Sequence, residues 1–172
     1  MRSLAAVLIL IAHLTVMACP AQAAAGVRLD TPSGYPVPRF VSLKDDETNC
    51  RIGPSFDHPV RYIFKRAGAP VLVVAESVDH WRKIRDPDGD ECWVHRTTLM
   101  AQTHVLVIAD LQLSRHPSAD APSSARLGAG VLARLVRRKD GWLFVSAGNA
   151  KGWVASAWVW GGDPSSEPAG PD

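Results

Sequence analysis

Nothing in this sequence pairs the groups that catalysis or metal binding requires. Three cysteines and six histidines are spread over 172 residues. Neither Cys50 nor Cys92 has a second cysteine or a histidine at a zinc-like spacing, and His58, His80, His95, His104 and His116 stand apart from one another. No cysteine has the glycine-rich or histidine-paired context of a thiol nucleophile. The stretch Asp86-Pro87-Asp88-Gly89-Asp90-Glu91 is rich in carboxylates but lacks the register and flanking helices of a calcium loop. Asp57, Asp86, Asp88 and Asp90 fall in loops with no second group paired for acid–base work. The sequence predicts no enzyme, no metal site and no cofactor.

An excess of one charge is lacking as well. The 19 basic and 17 acidic side chains nearly balance. That balance, with basic residues not interleaved with aromatics, points away from nucleic acid. Arg134, Arg137, Arg138 and Lys139 form a local basic run, which reads as a solvated strand edge ending in a turn. Helical periodicity is missing too, so little helix is expected.

Long apolar runs are confined to the start of the chain. Arg2 precedes an apolar stretch over residues 4–12, extended over 14–18, and Ala21-Gln22-Ala23 supplies a small-x-small cleavage pattern. Residues 1–23 therefore read as an export signal, and the mature chain is expected in the periplasm or secreted. The apolar stretch falls short of a stable membrane span, which takes about 20 residues. No transmembrane span is expected in the mature chain. Val16-Met17-Ala18-Cys19 loosely matches a lipoprotein box. Cys19 is either a lipid anchor, which would tether the protein to a membrane, or is discarded with the signal. Residues 24–38 read as an irregular leader, and 161–172, rich in Pro, Gly and Ser, as a disordered tail.

What remains is a pattern written twice. Asn49-Cys50-Arg51-Ile52-Gly53-Pro54-Ser55 opens a segment that closes with Trp81-Arg82-Lys83-Ile84 and Cys92-Trp93-Val94. Gln112-Leu113-Ser114-Arg115-His116-Pro117-Ser118 opens a second, which closes with Trp142-Leu143-Phe144-Val145 and Gly152-Trp153-Val154. A repeat fixes architecture before any single motif does. It predicts two modules, 39–101 and 102–160, built of short strands and turns. A module of roughly 60 residues buries a modest core and gains from packing on a neighbour or from a staple. Trp153, Trp158 and Trp160 suit such packing. With Cys19 removed, Cys50 and Cys92 suggest a disulfide closing a loop of roughly 40 residues; two separate buried thiols are the alternative. The second copy has Leu113 and Gly152 at the matching places.

The order Asn-x-Arg-x-Gly-Pro, an apolar strand, x-x-Trp-x-x-Ile, a hairpin, then x-Trp-Val resembles the bacterial SH3 domain, SH3b. In the first copy Asn49, Arg51, Gly53, Pro54, Trp81, Ile84, Trp93 and Val94 all fall on the pattern. In the second, Ser114 and His116 replace the Arg and Gly, while Gly141-Trp142 and Gly152-Trp153-Val154 remain. The resemblance implies an all-β chain of two tandem small SH3-like barrels. It also implies a non-catalytic binding module of the bacterial cell envelope, recognising peptidoglycan or its stem peptide. The alternative is a protein–protein adaptor or structural envelope protein without wall affinity.

Strand alternation puts Arg82 and Ile84 on the core face, and Trp81, Lys83 and Arg85 on the other. Trp81, like Trp142, is then a rim aromatic: either a platform for a sugar ring or proline, or a cover for the barrel mouth. Tyr62 and Phe64 share a face and would line the same groove. The first copy has the full signature, so Tyr62, Phe64, Trp81 and Arg85 are its candidate ligand-binding residues.

Overall fold

A computed structural model describes residues 27–164. The export signal, Cys19, residues 24–26 of the leader and the tail from 165 lie outside the described residues. The first copy consists of β1 (Arg39–Leu43), β2 (Thr48–Arg51), β3 (Val60–Phe64), β4 (Pro70–Glu76), β5 (Trp81–Arg85), β6 (Glu91–His95) and β7 (Leu99–Met100). The second consists of β8 (His104–Val107), β9 (Leu111–Ser114), β10 (Ser123–Leu127), β11 (Leu132–Lys139), β12 (Trp142–Ala147), β13 (Ala150–Ala155) and β14 (Val159–Trp160). A single 3₁₀ turn, Arg96–Thr98 or Ser156–Trp158, precedes the last strand of each copy. Among the described residues no helix is long and apolar enough to cross a membrane.

Each copy is one antiparallel sheet, in the order β3-β2-β6-β5-β4-β1-β7 and β10-β9-β13-β12-β11-β8-β14. The two orders match term by term. Leu43, Cys50, Val71, Val73, Ile84, Cys92 and Val94, drawn from five strands, share one core. Val105, Leu113, Ala133, Leu143, Val145 and Val154 do the same in the second copy. Strands near both ends of a sheet meet in one core only if the sheet curls on itself, and the result is the small barrel expected.

Local chemistry sets the turns. The Asp86 carboxylate accepts from the backbone N–H of Asp88 (3.1 Å) and Asp90 (2.9 Å), and Gly89 follows at φ 87°. Asp140 and Gly141 both have positive φ, 48° and 78°, the handedness that joins twisted strands tightly. Strand β10, Ser123–Leu127, pairs along β9 with a bulge.

Strands β2 and β6 share a single backbone pair, Arg51↔Trp93, as β9 and β13 share Ser114↔Trp153. Side chains reinforce both junctions. Cys50 and Cys92 form a disulfide with their Cα atoms 5.5 Å apart, 42 residues apart in sequence. Such a link contributes about 3–4 kcal/mol. In the second copy a Cβ on Gly152 would lie 2.8 Å from Leu113 Cβ and 2.9 Å from the Ser114 carbonyl oxygen. Glycine there lets β13 close directly over Leu113, so apolar packing replaces the covalent staple.

The described part of the leader is more ordered than its composition suggests. Arg28 and Val37 form a bridge, and Val37 enters the first core at 2% exposure. Glu76, whose side chain is fully enclosed, binds Arg39 at 2.6 Å and Arg82 at 3.1 Å. It also accepts from the backbone N–H and hydroxyl of Ser33. This network ties the leader to β4 and β5. The other boundary moves as well: Gly161 and Gly162, expected to begin the tail, are buried.

The copies pack on each other. The buried Trp160 indole donates to the Pro70 carbonyl at 2.9 Å and meets Phe40 edge-on at 5.0 Å. Arg66 donates to the Gly130 carbonyl, and the Thr103 N–H to the Ser42 hydroxyl. Of the three late tryptophans only Trp160 does this work. Trp153 lies against Phe144 beneath Arg137, and Trp158 is 65% exposed.

Two outcomes are expected. Trp160→Ala removes a large ring from between the barrels and lowers stability by about 3–5 kcal/mol in urea unfolding. Glu76→Gln leaves Arg82 buried without its partner and costs about 3 kcal/mol near neutral pH. Burial alone would raise the Glu76 pKa, but bonds from Arg39 and Ser33 outweigh it and hold it below the ordinary value of 4.5. A depressed carboxyl contributes fully above its unfolded pKa and loses that contribution as pH falls through the folded one. The gap between wild type and Glu76→Gln should therefore narrow below pH 4.5; a gap constant from pH 7 to pH 3 would contradict the network's role.

Candidate functional site

Trp81 opens β5 on the face turned away from the core, yet its ring is only 4% exposed. It is covered rather than offered at a rim. Phe56, from the β2–β3 loop, meets it edge-on at 4.9 Å, and His95 of β6 does so at 5.4 Å. Phe56 and His95 are themselves 5.4 Å apart, so three rings form one cluster. Burial holds the His95 imidazole below its ordinary pKa.

The signature residues hold the covering loop in place. Arg51 donates to the His58 carbonyl at 2.7 Å and sets its guanidinium over the Phe56 ring, 5.8 Å from the centroid. Ser55 Oγ and His58 Nδ1 are 2.9 Å apart. A Cβ on Gly53 would lie 2.3 Å from the His58 ring, so only glycine passes there. Asn-x-Arg-x-Gly-Pro is thus, in this copy, a clamp that presses Phe56 onto Trp81.

The other residues singled out in the first copy are placed as follows. Tyr62 and Phe64 meet edge-on at 5.1 Å and pack against the core. The Tyr62 hydroxyl donates to Asp86 at 3.4 Å; burial first, and the Asp86 charge second, push its pKa up to about 12. Arg85 binds Glu91 Oε1 through Nε (3.1 Å) and Nη2 (2.9 Å), and Glu91 also holds Lys83. The structure does not bring Tyr62, Phe64 and Arg85 together with an open Trp81.

The second copy keeps the tryptophan and loses the cover. The register pairs Trp142 with Ala155, as it pairs Trp81 with His95. Counting from the paired positions Arg51 and Ser114, Ala119 and Ala121 stand where the first copy has Phe56 and His58. Arg51 and Gly53 have become Ser114 and His116, so the clamp is gone with what it clamped. An open cleft of about 390 Å³ results, within the range of small-ligand sites. Trp142, Trp158, Ala119, Ala121 and Ala155 line its apolar part, and Gln112, Ser114 and Ser123 its polar part. Asp110, at its edge, is engaged by Arg126 at 3.2 Å and the Ala129 N–H at 3.0 Å. Among the described residues no ring stacks on Trp142 or Trp158. A second depression on the other side of Trp142 contains Lys139 and Arg138, the latter tied to Gln102 and the Gly161 and Gly162 carbonyls.

Alternation of residue types missed this cleft. The signal that would have found it is the pairwise loss of Phe56 and His95 as Ala119 and Ala155. Among the described residues no group of three or more His, Cys, Asp or Glu side chains is placed to hold a metal ion.

No curated protein matches the chain. Among solved structures it is similar to NlpC2 from Trichomonas vaginalis, with a TM-score of 0.35 and 12% identity over 72% of this chain and 48% of that one. NlpC1 from the same organism gives 0.31 and 13%, over 72% and 45%. The chain thus spans about half the length of these two proteins. The sequence model of the bacterial SH3 domain matches residues 44–100 and again 110–161. Those segments are the two barrels, they take up well over half of the chain, and the protein belongs to the bacterial SH3 domain family.

Proposed function

We propose that this protein is a non-catalytic binding module of the bacterial cell envelope, and that its second barrel holds peptidoglycan in the cleft between Trp142 and Trp158. The observation that carries this reading is the uncovered tryptophan pair. A 65%-exposed Trp158 beside a half-buried Trp142 offers two aromatic faces to solvent in one concavity. Such faces are costly to leave bare unless a ligand uses them. Family membership supports the envelope setting. The Cys50–Cys92 disulfide supports an oxidising compartment, periplasmic or extracellular. The first barrel then acts as a structural partner.

A protein–protein adaptor is the second reading. It is favoured by one observation on the first barrel: Ile52 and Phe56, 58% and 67% exposed, lie beside the edge strand β3 with Val60 and Ile63.

Co-sedimentation with purified sacculi separates the two. Wild-type protein should pellet, and Trp158→Ala should reduce the pelleted fraction severalfold while changing stability by less than about 1 kcal/mol. Trp81→Ala should instead lower stability by about 3–5 kcal/mol, as a buried ring does. Wild type left in the supernatant at low salt with the disulfide intact would sink wall binding and favour the adaptor.

A further inference from the structure

The groove over the β5 or β12 tryptophan is present twice, and the first copy carries its own occupant. The geometry points to Phe56 and His95 as an internal stand-in for the ligand, with an uncharged pyranose ring of a glycan as what enters the open copy at Trp142. The inference rests on the wall-binding reading and narrows it from peptidoglycan to its sugar strand.

Three observations carry it. The occupant of the first groove is a pair of rings, Phe56 and His95, that meet Trp81 edge-to-face at 4.9 and 5.4 Å. That contact sets the positive C–H edge of one ring against the negative face of another, and a pyranose offers the same C–H surface. The volume those rings fill in the first copy is vacated in the second by alanine at 119 and 155. Lastly, the polar lining is neutral. The side chains of Gln112, Ser114 and Ser123 have no hydrogen-bond partner among the described residues, and the one charged lining group, Asp110, is already engaged. Amide and hydroxyl groups beside two indoles match a ring bearing hydroxyl and acetamido substituents. A stem peptide bearing free carboxylates would require a cation, and the cleft lining has none; Arg126, at its edge, is committed to Asp110.

The test is titration of ¹⁵N-labelled protein with triacetylchitotriose, followed through the tryptophan indole N–H resonances. In wild type the Trp142 and Trp158 signals should shift and the Trp81 signal should not. Ala119→Phe, which restores the plug, should weaken binding by about tenfold or more, a loss of about 1.4 kcal/mol. Ala119→Leu serves if that variant does not fold. Phe56→Ala/His95→Ala, or Phe56→Ala alone if the double variant does not fold, should make the Trp81 signal respond as a second site. Sedimentation with sacculi but no response to the trisaccharide would overturn the glycan assignment and leave wall binding standing. Response to a free alanyl-glutamyl-diaminopimelate tripeptide instead would assign the groove to the stem peptide. Binding unchanged by Ala119→Phe would overturn the plug itself.

Discussion

The contact between the opening and closing strands of each barrel is the constraint on which the rest depends. Only one backbone pair joins β2 to β6, and one joins β9 to β13. A ladder that thin does not hold the two strands together by itself. The first copy adds a covalent bond beside the pair, and the second adds Leu113 against Gly152. Both devices act at the same register position, one residue before Trp93 and Trp153. Closure there brings the β2–β3 or β9–β10 loop over the outer face of the next strands. Whether a groove exists is then decided by what that loop carries.

In the first copy the loop carries Phe56 and the means to hold it. Arg51, Gly53 and His58 have no separate purpose in this picture: the guanidinium supports the ring, the glycine admits the imidazole, and the imidazole braces Ser55. In the second copy the same loop has alanine at both corresponding positions, 119 and 121. Freed of the ring, Arg and Gly are no longer required, and Ser114 and His116 occupy their places. The apparent degeneration of the second signature and the opening of its cleft are one event seen at two levels.

Much of the fold was legible in the sequence. The double pattern, the hairpin at Asp86–Gly89 and the partnership of Cys50 with Cys92 rest on residue types whose physics is local or strongly constrained. The site was less legible. Period-2 alternation assumes that one face of a strand meets solvent, and β5 has Trp81, Arg82 and Ile84 all buried. A loop distant in sequence covers one face, and the Glu76 network receives Arg82 at the end of the other. Strand β10 is poorly legible because Ser123-Ser124-Ala125-Arg126 has weak strand propensity. Pairing with β9 and the bonds of Ser124 to the Leu113 and Lys151 carbonyls hold it.

The two copies divide a requirement that one small barrel meets poorly. A barrel of roughly 60 residues has little surplus stability, and an uncovered tryptophan forgoes packing that a covered one gains. The first copy keeps its aromatic cluster closed and adds a disulfide and an enclosed ion-pair network. Among the described residues the second has no disulfide, no enclosed ion pair and no ring over Trp142, and it is the copy with the cleft. Trp160 connects the two: it leaves the second barrel to bury itself between Phe40 and Pro70 of the first. Opening the second barrel then costs that interface as well as its own core. On this argument the closed copy is what permits the open one to leave Trp142 and Trp158 uncovered.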